Sequence, residues 1–85
     1  MTFQERLEKV MVGGNLRVAD LARIFGRRHS TVRGWVVDGR EPSGTPADIR
    51  ELFIALASVE TAIRKKRLSA RASRSEKAAF VASRF

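Results

Sequence analysis

The side chains best suited to chemistry in this chain lie close together, between Arg27 and Arg33. These seven residues include three arginines, the one histidine of the chain, a serine and a threonine. Arginine can donate two parallel hydrogen bonds to a guanine base, and histidine and serine can each serve a base edge or a phosphate. This segment therefore has the chemistry of nucleic-acid recognition.

Catalysis and metal binding are not expected from the sequence. The acidic residues are scattered, and no nucleophile stands in a pattern with a base and an acid. Gly13-Gly14 is not followed by the lysine and hydroxyl residue of a phosphate-cradling loop. Without cysteine, disulfides and thiolate metal sites are excluded, and the lone His29 has no obvious fellow ligand. We expect neither an enzyme nor a cofactor.

The positive charge of the chain is unevenly distributed. Its 85 residues have a formal net charge of +8, which suits a polyanionic partner. Residues 1–61 hold nine basic and eight acidic side chains, whereas residues 62–85 hold eight basic side chains and only Glu76 as an acid. The net positive charge therefore lies mainly in residues 62–85, and the function of residues 1–61 must be inferred from their sequence pattern.

Apolar residues recur at helical spacing in three segments of the first half. A capping box at Thr2 to Glu5 begins the first helix, and Gly13-Gly14 is expected to end it in a left-handed conformation. A second helix is predicted from about Arg17 to Phe25, and a third from near His29 to about Val37.

Start signals also mark two helices in the second half. Thr45 to Asp48 combines a capping hydroxyl, a proline and an acid, and it precedes an apolar stripe that runs to Ile63. Ser73 to Glu76 could cap a last short helix that carries Phe80 and Val81. No alternating strand pattern is present. We predict an all-α fold of four to five helices, with a domain over 1–63 and a basic tail, helical in part, over 64–85.

The stretch from Val18 to Val37 meets the demands of two short helices that pack steeply across a tight turn. The turn needs a residue that tolerates positive φ, which Gly26 does. Four residues earlier the helices approach closely, and the small Ala22 stands there. The remaining contacts are apolar, so the predicted motif core consists of Leu21, Ala22, Phe25, Gly26, Val32 and Trp35.

This stretch resembles a helix-turn-helix motif. Trp35, Gly39 to Ser43 and an apolar helix with Ile49 and Leu52 make residues from about Phe3 to Leu56 similar to the DNA-binding domains of Cro and the phage repressors. In that family the second helix of the motif enters the major groove and reads bases with its N-terminal residues. The resemblance implies base contacts by Arg28, His29, Ser30 and Arg33, and DNA-backbone contacts at Thr31 and Gly34. Arg27 and Arg40 are further candidates for phosphate contacts.

Two positions depart from the family pattern. Arg27 stands directly after the turn glycine, where the family usually has an apolar residue. Arg28 replaces the usual small capping residue at the start of the recognition helix. Both arginines make the contact face more basic, which suits phosphate binding, and the recognition helix is expected to begin up to one residue away from the family position.

The basic tail is interpreted as an arm that adds sequence-independent affinity through phosphate contacts. Its best candidates for this role are Arg64, Lys65, Lys66, Arg67 and Arg71. The alternatives are a solvated terminus and a membrane-surface helix, and the small apolar face offered by Phe80, Val81 and Phe85 weakens the latter.

The preferred hypothesis is a sequence-specific binder of double-stranded DNA, a prokaryotic or phage transcriptional regulator that acts as a homodimer or higher oligomer. A DNA-packaging or recombination accessory factor is the first alternative, and a protein-interaction module such as an antirepressor is the second. No effector is evident. Neither a membrane span nor a signal-peptide pattern is visible, so we expect a cytoplasmic protein, or one in the host cytoplasm if phage-encoded.

Overall fold

Helices make up the fold in the computed structural model, which describes residues 1–71 and 73–84. They are α1 (Phe3–Gly14), α2 (Val18–Phe25), α3 (His29–Val37), α4 (Pro46–Arg64) and α5 (Arg74–Arg84). The described residues contain no strand, so the predicted all-α class is confirmed. The Cα radius of gyration is 12.0 Å.

The predicted start signals of α1 and α4 are confirmed as capping boxes. The Glu5 N–H donates to Thr2 Oγ1 at 3.1 Å, and the Thr2 N–H donates to Glu5 Oε1 at 3.0 Å. Thr45 and Asp48 exchange the same two hydrogen bonds at 3.1 and 3.3 Å. In both cases local side chains satisfy amides that the helix itself leaves without a partner.

The end of α1 differs in part from the expectation. Gly13 and Gly14 lie inside the helix, and Asn15, with φ of 53°, adopts the left-handed conformation. The Leu16 N–H then donates to the Met11 carbonyl oxygen at 2.9 Å. The prediction that the helix ends at these glycines is confirmed, since Gly14 is its last residue, but the left-handed residue is Asn15 and not a glycine. Asparagine tolerates left-handed angles as well.

The core lies where α1, α2, α3 and α4 meet. Seven large side chains are fully buried there: Leu7, Leu21, Ile24, Val32, Leu56, Val59 and Leu68. The Phe3 ring contacts the Phe53 ring at a centroid distance of 5.4 Å, and an ion pair of 2.6 Å joins Arg6 to Glu60. These contacts attach α1 along the length of α4.

The core continues beyond α4. Lys66, with φ of 61°, turns the chain so that Leu68 enters the core, where it is 2% exposed. Leu68 belongs to the predicted basic tail over 64–85, and its burial was not predicted, since a left-handed lysine gives little signal in sequence. The predicted last helix is present as α5, with Ser73 Oγ accepting from the Glu76 N–H at 3.2 Å.

Candidate nucleic-acid interface

The turn between α2 and α3 is built around Gly26. This residue has φ of 64° and ψ of 35°, and the Arg27 N–H donates to the Ala22 carbonyl oxygen at 3.0 Å. A Cβ atom at Gly26 would meet nothing within 4 Å. The glycine is therefore required by its backbone angles and not by lack of space.

The inner side of the two helices fixes how they cross. Leu21, Ala22, Val32 and Trp35 are buried, whereas Phe25 is half-buried. The Trp35 ring, 3% exposed, lies 6.2 Å from the Phe25 ring and packs edge-on at 5.5 Å from the ring of Phe3 on α1. Trp35 thus anchors α3 to both neighbouring helices, and its ring has no face open to a ligand.

The outer side of α3 carries the polar residues. A depression of about 400 Å³ runs along this helix into the following loop. Five residues predicted to contact DNA line it, namely His29, Ser30, Arg33, Gly34 and Arg40, together with Val37 and Asp38. The structure therefore brings three of the four predicted base readers together, and Arg28 is the exception. Two of the predicted phosphate contacts, Gly34 and Arg40, lie beside them.

Gly34 has a neighbour that the sequence did not indicate. It is buried, and a Cβ atom at this position would lie 3.3 Å from Cδ of Arg40. The Arg40 N–H also donates to the Gly34 carbonyl oxygen at 3.2 Å. The group that lies close to Gly34 in the structure is thus the Arg40 side chain of the same protein.

The start of α3 lies at the edge of this depression. Arg28 is the N-cap residue, and among the described residues no side chain hydrogen-bonds to the free amides there. Thr31 is exposed.

Arg27 does not line this depression. It lies in a second depression between α2 and α4, beside Asp48 and Glu51. There the Thr45 hydroxyl holds the pKa of the Asp48 carboxyl below its usual range, with a smaller contribution from the positive charge of Arg27.

The remaining predicted phosphate contacts lie elsewhere. Arg64, Lys65, Lys66 and Arg67 are exposed at the C-terminal end of α4, and Arg71 follows them. Arg27 lies beside the first turn of the same helix, and a rise of 1.5 Å per residue separates the two ends of α4 by about 25 Å. The predicted phosphate contacts therefore form two groups, one near α3 and one at the far end of α4.

Comparison with known proteins adds no relative. No family model matches this chain. A search of the curated proteins and a search of the solved structures likewise found no similar protein. The resemblance to the Cro and phage-repressor domains therefore depends on the sequence motif alone.

Other kinds of site find no support in residues 1–71 and 73–84. Nowhere in these ranges do three histidine, cysteine or acidic side chains come together as metal ligands would. Nor do these ranges contain a helix whose length and hydropathy would let it cross a membrane.

A further group of cations was missed in the sequence. Arg17, the N-cap residue of α2, and Arg23 on α2 lie across a cleft from Arg74 and Lys77 of α5. The first two arginines are six residues apart and gave no motif, and nothing in the sequence showed that α5 packs against α2. The apolar pair Phe80 and Val81 was the available signal, since these residues attach α5 to the core.

Proposed function

We propose that this protein binds double-stranded DNA sequence-specifically, with α3 as the recognition helix, and that it acts as a transcriptional regulator. One observation carries the proposal. The side of α3 defined by Val32 and Trp35 is buried, while His29, Ser30 and Arg33 are exposed together on the opposite side. A helix held by one side with polar side chains on the other fits the major groove, which is about 12 Å wide.

The residue types on this side suit direct reading of bases. Arg33 and Arg28 can each donate two hydrogen bonds to a guanine, and such a pair contributes about 1–3 kcal/mol of discrimination. His29 and Ser30 can bond either a base edge or a phosphate. Because no side chain among the described residues caps α3, its first amides can donate to a phosphate oxygen as well.

Phosphate contacts would fix the position of α3 in the groove. Thr31 and Arg40 are exposed at the two ends of the helix, where the backbones that border the groove pass. The Arg40 side chain is 75% exposed, and Asp38, 4.0 Å away, is its nearest acidic partner. This weak pair can exchange for a phosphate at little cost, since exposed ion pairs contribute at most about 1 kcal/mol.

We further propose that two copies bind a palindromic site. A single recognition helix reads too few base pairs to be selective, and a symmetric dimer doubles the number read. The outer side of α4, where Ile54 is 56% exposed, and the C-terminal region are the surfaces on which the two copies would meet.

The test is selection of a target from a random duplex library, followed by anisotropy titration of the labelled target and a scrambled duplex. Arg33→Glu should abolish the preference for the target, because it places a carboxylate against the bases. Lys9→Glu is the matched control, since Lys9 is exposed on α1 and the change in charge is equal. Trp35 emission reports whether each variant is folded, because its ring lies in the core.

Three outcomes would contradict the proposal. If the selection returns no preferred sequence, the binding is electrostatic and not sequence-specific. Equal losses in the Arg33→Glu and Lys9→Glu variants would mean that net charge, and not α3, determines affinity. A protein that binds no duplex would favour the protein-interaction alternative. The mass of the complex then separates a regulator from a packaging factor, because a dimer is expected of the first and a larger ring of the second.

A further inference from the structure

A cleft of about 480 Å³ separates α2 from α5, away from the depression along α3. We call it the α2–α5 cleft and define it by its charged residues: Arg17, which precedes α2, Asp20 and Arg23 on α2, and Arg74 and Lys77 on α5. Ala19, Ala78 and Val81 complete the lining. The cleft thus combines four cations with one carboxylate.

The one carboxylate already has a partner. Asp20 Oδ2 accepts a hydrogen bond of 2.9 Å from the Arg17 N–H and so caps the first turn of α2. Within residues 1–71 and 73–84, no ion pair joins any of the four cations to an acidic side chain. The cleft therefore keeps a net charge of +3, because Asp20 offsets one of its four cations.

The two walls of the cleft are fixed in position. On α2, Leu21, Ala22 and Ile24 are buried in the core. On α5, Phe80 and Val81 pack against the core. Cations on two docked helices lose less conformational freedom on binding than cations on a disordered tail, so they are better placed to bind a polyanion.

We propose that the α2–α5 cleft binds the phosphodiester backbone of duplex DNA next to the stretch read by α3. This inference rests on the proposed function, because it assumes that α3 lies in the groove. Three residues, Gly26 to Arg28, join α2 to α3, and packed helices lie about 8–10 Å apart. The cleft is lined by residues of the helix next to α3, so we infer that it is within reach of a backbone that borders a groove about 12 Å wide.

The chemistry of the cleft favours DNA over a lipid surface. A helix that lies in a membrane interface must present an apolar face to the acyl chains. The apolar residues of α5, Phe80 and Val81, pack against the core instead. What α5 presents beside the cleft is Arg74 and Lys77, which suit evenly spaced phosphates.

The experiment measures the affinity of the full chain for a labelled duplex as a function of salt concentration. The double variant Arg74→Ala/Lys77→Ala removes two cations of the cleft. Lys9→Glu is the matched control, because it changes the net charge by the same two units at an exposed residue of α1 that lies outside the proposed surfaces. We expect the first variant to lower the slope of log K against log salt by about two and the affinity at 0.1 M salt by up to about 60-fold. The control variant should change both far less.

Further variants keep the result interpretable. Arg17→Ala/Arg23→Ala tests the opposite wall of the cleft should the α5 variant fail to fold, as judged by circular dichroism and Trp35 emission. Arg33→Ala tests the proposed function separately. If the cleft and control variants lose equal DNA affinity while Arg33→Ala loses its preference for the target, the cleft proposal is overturned and the proposed function is supported. An unchanged Arg33→Ala with a weakened cleft variant would overturn the proposed function and the placement of the cleft beside α3, and would leave only phosphate binding by the cleft.

A last arm replaces the duplex by vesicles that contain phosphatidylserine. The inference expects tight, salt-dependent binding to duplex DNA and weaker binding to these vesicles. Preferential binding to the vesicles, or loss of vesicle binding alone in the cleft variants, would assign the cleft to a membrane surface and overturn the proposal.

Discussion

Leu68 lies so close to Gly14 that a Cβ atom at residue 14 would be only 2.8 Å from Leu68 Cδ2. Leu68 is 2% exposed and follows the left-handed Lys66, while Gly14 is the last residue of α1. The absence of a side chain at Gly14 therefore lets the segment after α4 pack against the end of α1. This contact makes the C-terminal region part of the core.

Gly14→Ala is expected to destabilise the protein by about 1–3 kcal/mol. The added methyl group must displace a buried leucine, and overpacking of this kind usually costs that amount. The loss exceeds the roughly 0.5–1 kcal/mol that alanine gains over glycine in a helix. Urea denaturation followed by far-UV circular dichroism measures the difference in the free energy of unfolding.

A double-mutant cycle with Leu68→Ala identifies the cause of that loss. Removing the leucine should cost about 2–5 kcal/mol by itself, but it also makes room for a methyl group at residue 14. Gly14→Ala should therefore cost much less in the Leu68→Ala background. The same cost in both backgrounds would show that Leu68 is not the residue displaced.

Gly26→Ala tests the turn between α2 and α3. With nothing within 4 Å of the new Cβ atom, the only penalty is the left-handed backbone at φ of 64°. We expect a loss of about 1–2 kcal/mol, measured by urea denaturation. Gly26→Asn is the matched control and should lose less, because asparagine adopts these angles more readily. A Gly26→Ala variant as stable as the parent would mean that another turn conformation is accessible.

Local signals in the sequence predicted much of this fold. The caps at Thr2, Thr45 and Ser73 depend on residues three positions apart, so they can be recognised without the tertiary structure. The burial of Leu68 depends on a contact with α1, more than fifty residues earlier, and no local pattern contains that information. The α2–α5 cleft was missed for the same reason, since it exists only after α5 has docked.

In the candidate site too, local sequence predicted some features, and others depended on the tertiary structure. Helical spacing was enough to predict that Val32 and Trp35 are buried and that Arg33 is exposed. It could not predict that Arg27 lies beside Asp48, because that contact depends on where α4 begins in space. The uses of these residues in DNA binding stay predictions.

The capping carboxylates should make stability depend on pH in the acid range. Hydrogen bonds from the Thr2 N–H and hydroxyl hold the pKa of Glu5 below its usual value, and those from the Thr45 hydroxyl and N–H do the same for Asp48. A lowered pKa in the folded state means that the stabilisation is present above the ordinary carboxyl pKa and is lost as pH falls through the lowered one.

The corresponding measurement is the melting temperature between pH 7 and pH 2. We expect it to fall below about pH 4, and to fall less in the Glu5→Gln/Asp48→Asn variant, which has lost these two carboxylates. Glu8→Gln/Glu51→Gln is a suitable control, because both residues are exposed on the same two helices. Parallel curves for the parent and the first variant would exclude the caps as the cause.

Gly34→Ala is expected to separate stability from DNA binding. The added Cβ atom would lie 3.3 Å from Cδ of Arg40, whose side chain is 75% exposed and free to move by a few tenths of an ångström. Alanine in a helix interior should then raise the free energy of unfolding by about 0.5–1 kcal/mol. If Arg40 contacts a phosphate, its displacement should lower the affinity for duplex DNA, by less than the roughly tenfold that one phosphate contact contributes at 0.1 M salt.

The Arg40→Ala background decides which atom is responsible. If Gly34 serves only to accommodate Arg40, then Gly34→Ala should leave DNA affinity unchanged once Arg40 is absent. An equal loss of affinity in both backgrounds would mean that the new methyl group itself meets the DNA, and that the backbone at residue 34 lies against a phosphate. Anisotropy titrations of the single and double variants with one duplex therefore distinguish a glycine that makes room for its own chain from one that makes room for DNA.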